Sequence, residues 1–182
     1  MDYLPNIFFA IALVVGIGFF VMNILKLIRN IKLGKDIDRS DRKIERWKNM
    51  ARIALGQSKM VSRPFAGFLH IIVYIGFVVI NIEVLEIVID GLFGTHRVFQ
   101  PLLGNTIYGF LIGTFEILAF LVLVAVILFW LRRNIIQLKR FMSKEMKGWP
   151  KNDGNLILYF EIVLMSLFIV MNATDHTFQE AN

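Results

Sequence analysis

The chain holds 182 residues, 57% hydrophobic and only 19% charged, whereas an ordinary soluble domain is about a quarter charged. It has no cysteine, which excludes disulfides, thiolate zinc sites, covalently attached haem and iron–sulfur clusters on its own thiolates; three histidines leave little for a metal site built by this chain alone. The net charge of +6 raises nucleic acid as a partner, but the placement of the cations assigns them to membrane topology, and no nucleic-acid partner is expected.

Four apolar runs stand out, at residues 4–28, 65–89, 106–131 and 156–173. Each is near or above the ~18–20 residues that carry a helix across the hydrocarbon of a bilayer. A helix satisfies its own backbone polar groups, so the predicted fold is all-α: an integral membrane bundle of four transmembrane helices. The first run is not read as a cleaved signal peptide. Only Asp2 precedes it, it is too long for a signal core, and basic residues rather than a small-residue cleavage site follow it.

The connection at residues 29–63 follows. Twelve basic residues lie between Lys26 and Arg63, seven more between Arg132 and Lys151, and Arg97 alone lies in the connection between the second and third runs. Cations concentrate on the cytoplasmic side of membrane proteins, so the connections 29–63 and 132–152 are expected inside and both termini outside. Within the first connection Ile44, Trp47, Ala51 and Ala54 recur at helical spacing, with Arg42, Lys43, Arg46 and Lys48 on the other faces. This predicts a basic amphipathic helix on the inner membrane surface, capped by Asp38 or Ser40. Anionic lipid or a docked partner domain would each suit it. Pro64 suits the first turn of the second span.

The second and third runs carry polar groups that lipid disfavours, and such groups are functional candidates by default. His70 lies ~9 Å into the second span from the basic side, with Tyr74, Phe77, Asn81 and Leu85 on its face. A neutral imidazole there suits haem iron, and equally suits a hydrogen bond to a neighbouring helix. His96 and His176 fall toward the opposite side, ~20 Å away along the membrane normal, so neither shares an iron with His70. Glu83, Glu86 and Asp90 form one stripe in the outer half of the second span, roughly opposite the His70 face. Glu116 enters the third span from the same side. Carboxylates grouped this way suit proton uptake or release beside a quinone; the alternative is interhelical hydrogen bonding of protonated carboxyls, with Asp90 exposed at the helix end.

In the fourth run Glu161 lies within reach of the interface and of Lys147 or Lys151, as a snorkelling or salt-bridged surface acid. Tyr3, Tyr108, Trp130, Trp149 and Tyr159 read as interfacial aromatics. Gly109 and Gly113 make a small-xxx-small pair. There is no glycine-rich phosphate loop, Ser-His-Asp set or HExxH motif, and no broken helix or inverted repeat of the carrier type.

At the start of the second span the chain reads Gly56-Gln57-Ser58-Lys59, then Arg63-Pro64, Gly67, His70 and Gly76-Phe77; Glu83 to Phe99 and Ser143 to Pro150 extend the pattern. In these residues the chain resembles the membrane domain of bacterial iron–sulfur oxidoreductases related to heterodisulfide reductase, whose anchor is similar to the gamma subunit of respiratory nitrate reductase. The resemblance implies residence in the bacterial inner membrane. It implies electron transfer between cytoplasmic iron–sulfur clusters and the quinone pool through haem b, with His70 at the position of one axial ligand. Such proteins continue into a fifth helix with more histidines and into cysteine-rich domains that hold 4Fe-4S clusters. The chain is therefore expected to be the N-terminal part of a longer protein, with the second haem ligand and the clusters on other sequence, and not active alone. A cofactor-free membrane scaffold or assembly protein is the alternative.

Overall fold

The computed structural model describes residues 3–35, 37–38, 40–58, 60, 62–176 and 179. Asp2, Arg39, Lys59 and Asn182 lie outside the described residues. The fold is all-α, with four long helices apolar enough to cross a membrane. In chain order these are α1 (Leu4–Lys32), a short helix α2 (Lys43–Met50), α3 (Pro64–Phe93), a single turn α4 (Gln100–Leu103), α5 (Asn105–Asn134) and α6 (Trp149–Thr174).

The long helices overrun the apolar runs that reveal them. α6 begins at Trp149, seven residues ahead of the predicted start at 156. Pro150 sits in its first turn and Gly148 precedes it at φ 74°. Hydropathy marks only the hydrocarbon crossing, whereas Lys151, Asn152 and Asp153 continue the same helix with polar side chains. At their basic ends α1 and α5 carry Arg29 and Lys32, and Arg132 and Arg133, where cations offset the negative pole of the helix dipole.

The chain divides into two compact units, residues 1–62 with 86–98, and residues 63–85 with 99–182. In the second unit the core follows α5. Tyr108, Ile112, Phe115, Ala119, Val122 and Val126 are buried, and their spacings of four and three lay them along one stripe. Ile80 of α3 and Met165 and Phe168 of α6 close on that stripe. Gly76 lets α3 come near: a Cβ there would overlap the Val122 side chain. At the other end Gly104, with φ 76°, gives the left-handed backbone that separates α4 from α5.

A polar clasp joins α5 to α6 at their basic ends. Arg133 Nη2 donates to Pro150 O and to Lys151 O, both at 3.0 Å. Gly154 leaves room for that guanidinium, since a Cβ there would stand 2.7 Å from Nη1. One turn away Asn134 and Asn155 exchange amide hydrogen bonds of 3.2 and 2.9 Å. Trp130 and Tyr159 pack nearby with centroids 6.5 Å apart.

In the first unit α1 buries no residue. Its tie is at its beginning, where Asn6 Nδ2 donates to Gly91 O at 2.8 Å. The Phe9 ring lies against Gly91, where a Cβ would come within 2.6 Å of it. α2 starts differently from the expected side-chain cap. Its N-cap residue is Arg42 in the left-handed region at φ 44°, with no side-chain cap bond. Asp38 instead accepts the Ser40 N–H at 2.8 Å, forming a local turn before the helix. The Ser40 backbone N–H, and secondarily its side chain, hold the Asp38 carboxyl below its ordinary pKa. After α2 the chain widens into a π turn at Ala51–Leu55, closed by Gly56 N–H donating to Ala51 O at 2.8 Å.

Candidate functional site

The polar residues of α3 fall on two faces, as their spacing predicts. His70 and Tyr74 are half-buried, while Phe77, Asn81 and Leu85 on the same stripe are exposed. Asn81 satisfies its amide locally by donating to Phe77 O of its own helix. Glu83 shares the inward stripe of Leu69, Gly76 and Ile80, at offsets of seven, four and three. It is 1% exposed, and Glu86, one turn further, is 2% exposed. Two carboxyls buried in a helix of membrane-spanning length and mean hydropathy 2.4 are costly unless they are satisfied by neighbours, and both engage neighbouring groups.

Asp90 ends the stripe with a different task. It is half-buried rather than exposed, and accepts from Thr95 Oγ1 and from Arg97 N. With Gly94 at φ 70° it turns the chain out of α3.

Among the described residues of the second unit Glu83 is one of three buried polar side chains drawn from the same end of three helices. The others are Tyr108 of α5, 0% exposed, and Asn172 of α6. None of the three lacks an interaction. The sequence reading places Tyr108 among the interfacial aromatics and gives Asn172 no role. Tyr108 lies four residues before Ile112 and seven before Phe115, so the periodicity of α5 contains the signal that it faces the core. Tyr3 and Trp149 are exposed.

Glu116 takes a separate stripe of α5. It is half-buried and lines a groove of about 330 Å³ with Asn105, Thr106, Gly109 and Gly113. The groove is open at Gly113, where a Cβ would meet nothing within 4 Å. Among the described residues no three His, Asp or Glu side chains come together as a metal-type cluster, Glu83, Glu86 and Glu116 included. Glu161 is half-buried on α6, and among the described residues it makes no ion pair with Lys147 or Lys151.

The histidines test whether haem fits this chain. His70 stands in the second turn of α3, His96 beyond the far end of that helix, and His176 beyond the corresponding end of α6. His96 and His176 are both exposed. The chain thus supplies one imidazole within its spans and no second one at that level, so its residues do not complete a bis-histidine haem site by themselves. No family model, curated protein or solved structure matches the chain. The architecture is an all-α fold with four helices long and apolar enough to cross a membrane.

Proposed function

We propose that the chain is the membrane-anchor part of a respiratory-type electron-transfer oxidoreductase working between the quinone pool and a cytoplasmic iron–sulfur domain or subunit. The observation that carries the proposal is the polarity of α3. A buried carboxyl pair, Glu83 and Glu86, occupies one half of a membrane-length helix whose other half bears His70. Thirteen residues separate His70 from Glu83, a rise of ~20 Å.

Quinol oxidation releases protons where it releases electrons, so it calls for a proton acceptor at the quinone and a redox partner displaced from it. Glu83 and Glu86 supply buried acceptors toward the end away from the cationic connections, and Glu116 borders a groove on α5. These three are the proton-handling candidates. Haem b would need His70 together with a second ligand from another chain or from further sequence of the same protein, and 4Fe-4S clusters would need cysteines this chain lacks. The sequence motifs around His70 support the same reading. With the positive-inside rule, His70 would lie toward the cytoplasm.

The test is a reduced-minus-oxidised spectrum of the native complex taken from membranes with its associated chains. A b-type haem band that disappears in His70→Ala, while the protein stays in the membrane at normal level, is the expected result. A native complex without haem would overturn the reading and favour a cofactor-free scaffold. Glu83→Gln is expected to slow quinol-dependent reduction without removing the haem band.

A further inference from the structure

We infer that α2 is an anionic-phospholipid site, in which Lys43 and Arg46 hold the headgroup phosphate while Trp47 and Met50 cover the glycerol and upper acyl region. Lys43, Arg46, Trp47 and Met50 follow at i, i+3, i+4 and i+7, one face of a helix. Together they line a hollow of about 580 Å³. The inference is independent of the redox reading, since it needs neither His70 nor the carboxyls.

Three observations select a lipid as occupant. The first is charge: across residues 42–52 five cations, Arg42, Lys43, Arg46, Lys48 and Arg52, stand against the single carboxylate Glu45. Arg42 lies 3.9 Å from Glu45 and 3.3 Å from Asp41, which places those acids beside Arg42, while Lys43 and Arg46 line the hollow.

The second is exposure. Ile44 is 72% and Trp47 68% exposed, and the helix buries no residue. An apolar stripe flanked by long cations is the pattern of a helix lying in the headgroup layer, where the cationic side chains reach phosphate and the apolar ones reach acyl chains. The third is tethering. Residues 33–42 join α1 to α2, and residues 51–63 join α2 to α3, the first of these segments holding only ten residues. Both neighbours are of spanning length, so α2 is held near the membrane surface from each side. A polybasic segment beside a span meets the anionic lipids of the inner leaflet, each cation adding about fivefold in affinity.

The full chain is reconstituted in phosphatidylcholine nanodiscs containing a small, equal fraction of brominated phosphatidylglycerol or brominated phosphatidylcholine. Trp47 is the sole fluorophore after Trp130→Phe and Trp149→Phe. The glycerol lipid is expected to quench Trp47 at several-fold lower mole fraction than the choline lipid. Lys43→Gln with Arg46→Gln should remove that preference while quenching by both lipids persists. Equal quenching by the two lipids before substitution would overturn the inference. Absence of quenching by either would overturn it too, and would mean that α2 docks on protein. As a check free of the tryptophan substitutions, native mass spectrometry of the otherwise unaltered chain should retain phosphatidylglycerol over phosphatidylcholine and lose that bias in the double variant; equal retention would overturn the inference.

Discussion

α1 and α5 differ by one residue in length and by little in mean hydropathy, 2.6 against 2.8, yet the most apolar window of α1 is 0% buried and that of α5 is 33% buried. Hydropathy drives a helix into lipid; it does not make helices pack, because lipid tails are as apolar as leucine. What α5 has is a stripe of alternating size, from Tyr108 through Phe115 and Ala119 to Val122, opposite a glycine on α3 that admits it. The glycines of α1, Gly16 and Gly18, have nothing within 4 Å of where a Cβ would stand. Two spans of equal hydropathy can therefore have different tasks, one holding the bundle together and one presenting a surface.

The sharpest way to break this contrast is a matched pair of truncations. Phe115→Ala removes a buried ring and is expected to cost about 3–5 kcal/mol, read as a lower unfolding midpoint in detergent. Phe20→Ala on α1, an exposed site, should change the same midpoint by less than about 0.5 kcal/mol. Equal losses would mean that α1 packs as tightly as α5.

Next in size is Gly76→Val, which overfills the α3–α5 contact and should cost about 1–3 kcal/mol. Val122→Ala in the same chain should restore much of it, so the double-mutant cycle would show strong positive coupling. No recovery would place the conflict elsewhere. A smaller effect is expected at the clasp, where alanine substitution of Asn134 and Asn155, singly and together, should reveal a coupling of about 0.6 kcal/mol. A null coupling would leave Arg133 as the side chain that fastens α5 to α6.

The smallest effect belongs to Asp38. Its pKa is lowered in the folded chain, so its contribution is present above the unfolded pKa and is lost as pH falls through the folded value. Because the group is fully exposed, the change should be confined to the turn. The Ser40 amide resonance should titrate with a midpoint below that of an ordinary aspartate, while the unfolding midpoint of the α5–α6 pair stays level.

The four spans were legible because the bilayer imposes a length and a composition that local sequence must meet. The inward stripe of Glu83 was legible for a related reason: lipid penalises a carboxyl so heavily that spacing alone separates it from the His70 face. Tyr108 was misplaced because a tyrosine near the end of a span suits an interface as well as a core, and its residue type was weighed ahead of its spacing from Ile112 and Phe115. The Arg133 clasp was not legible, since it depends on Pro150, Lys151 and Gly154 meeting a residue 17 or more positions earlier, and no local pattern encodes that meeting. Asp38 misled in another way: a short acidic side chain ahead of a helix can bond its own turn instead of the helix.

The bond from Asn6 to Gly91 spans 85 residues, whereas the amide pair of Asn134 and Asn155 spans 21. Closing the longer loop costs about 1 kcal/mol more in chain entropy. Order of synthesis and order of assembly are thus opposed. α1 is made before the end of α3, so the bond from Asn6 to Gly91 waits until that end has emerged. α5 and α6, neighbours in the chain, can close as a hairpin almost as soon as both exist. A pause in translation before residue 91 should therefore leave α1 unattached, while a pause after residue 155 should find the α5–α6 clasp already able to form.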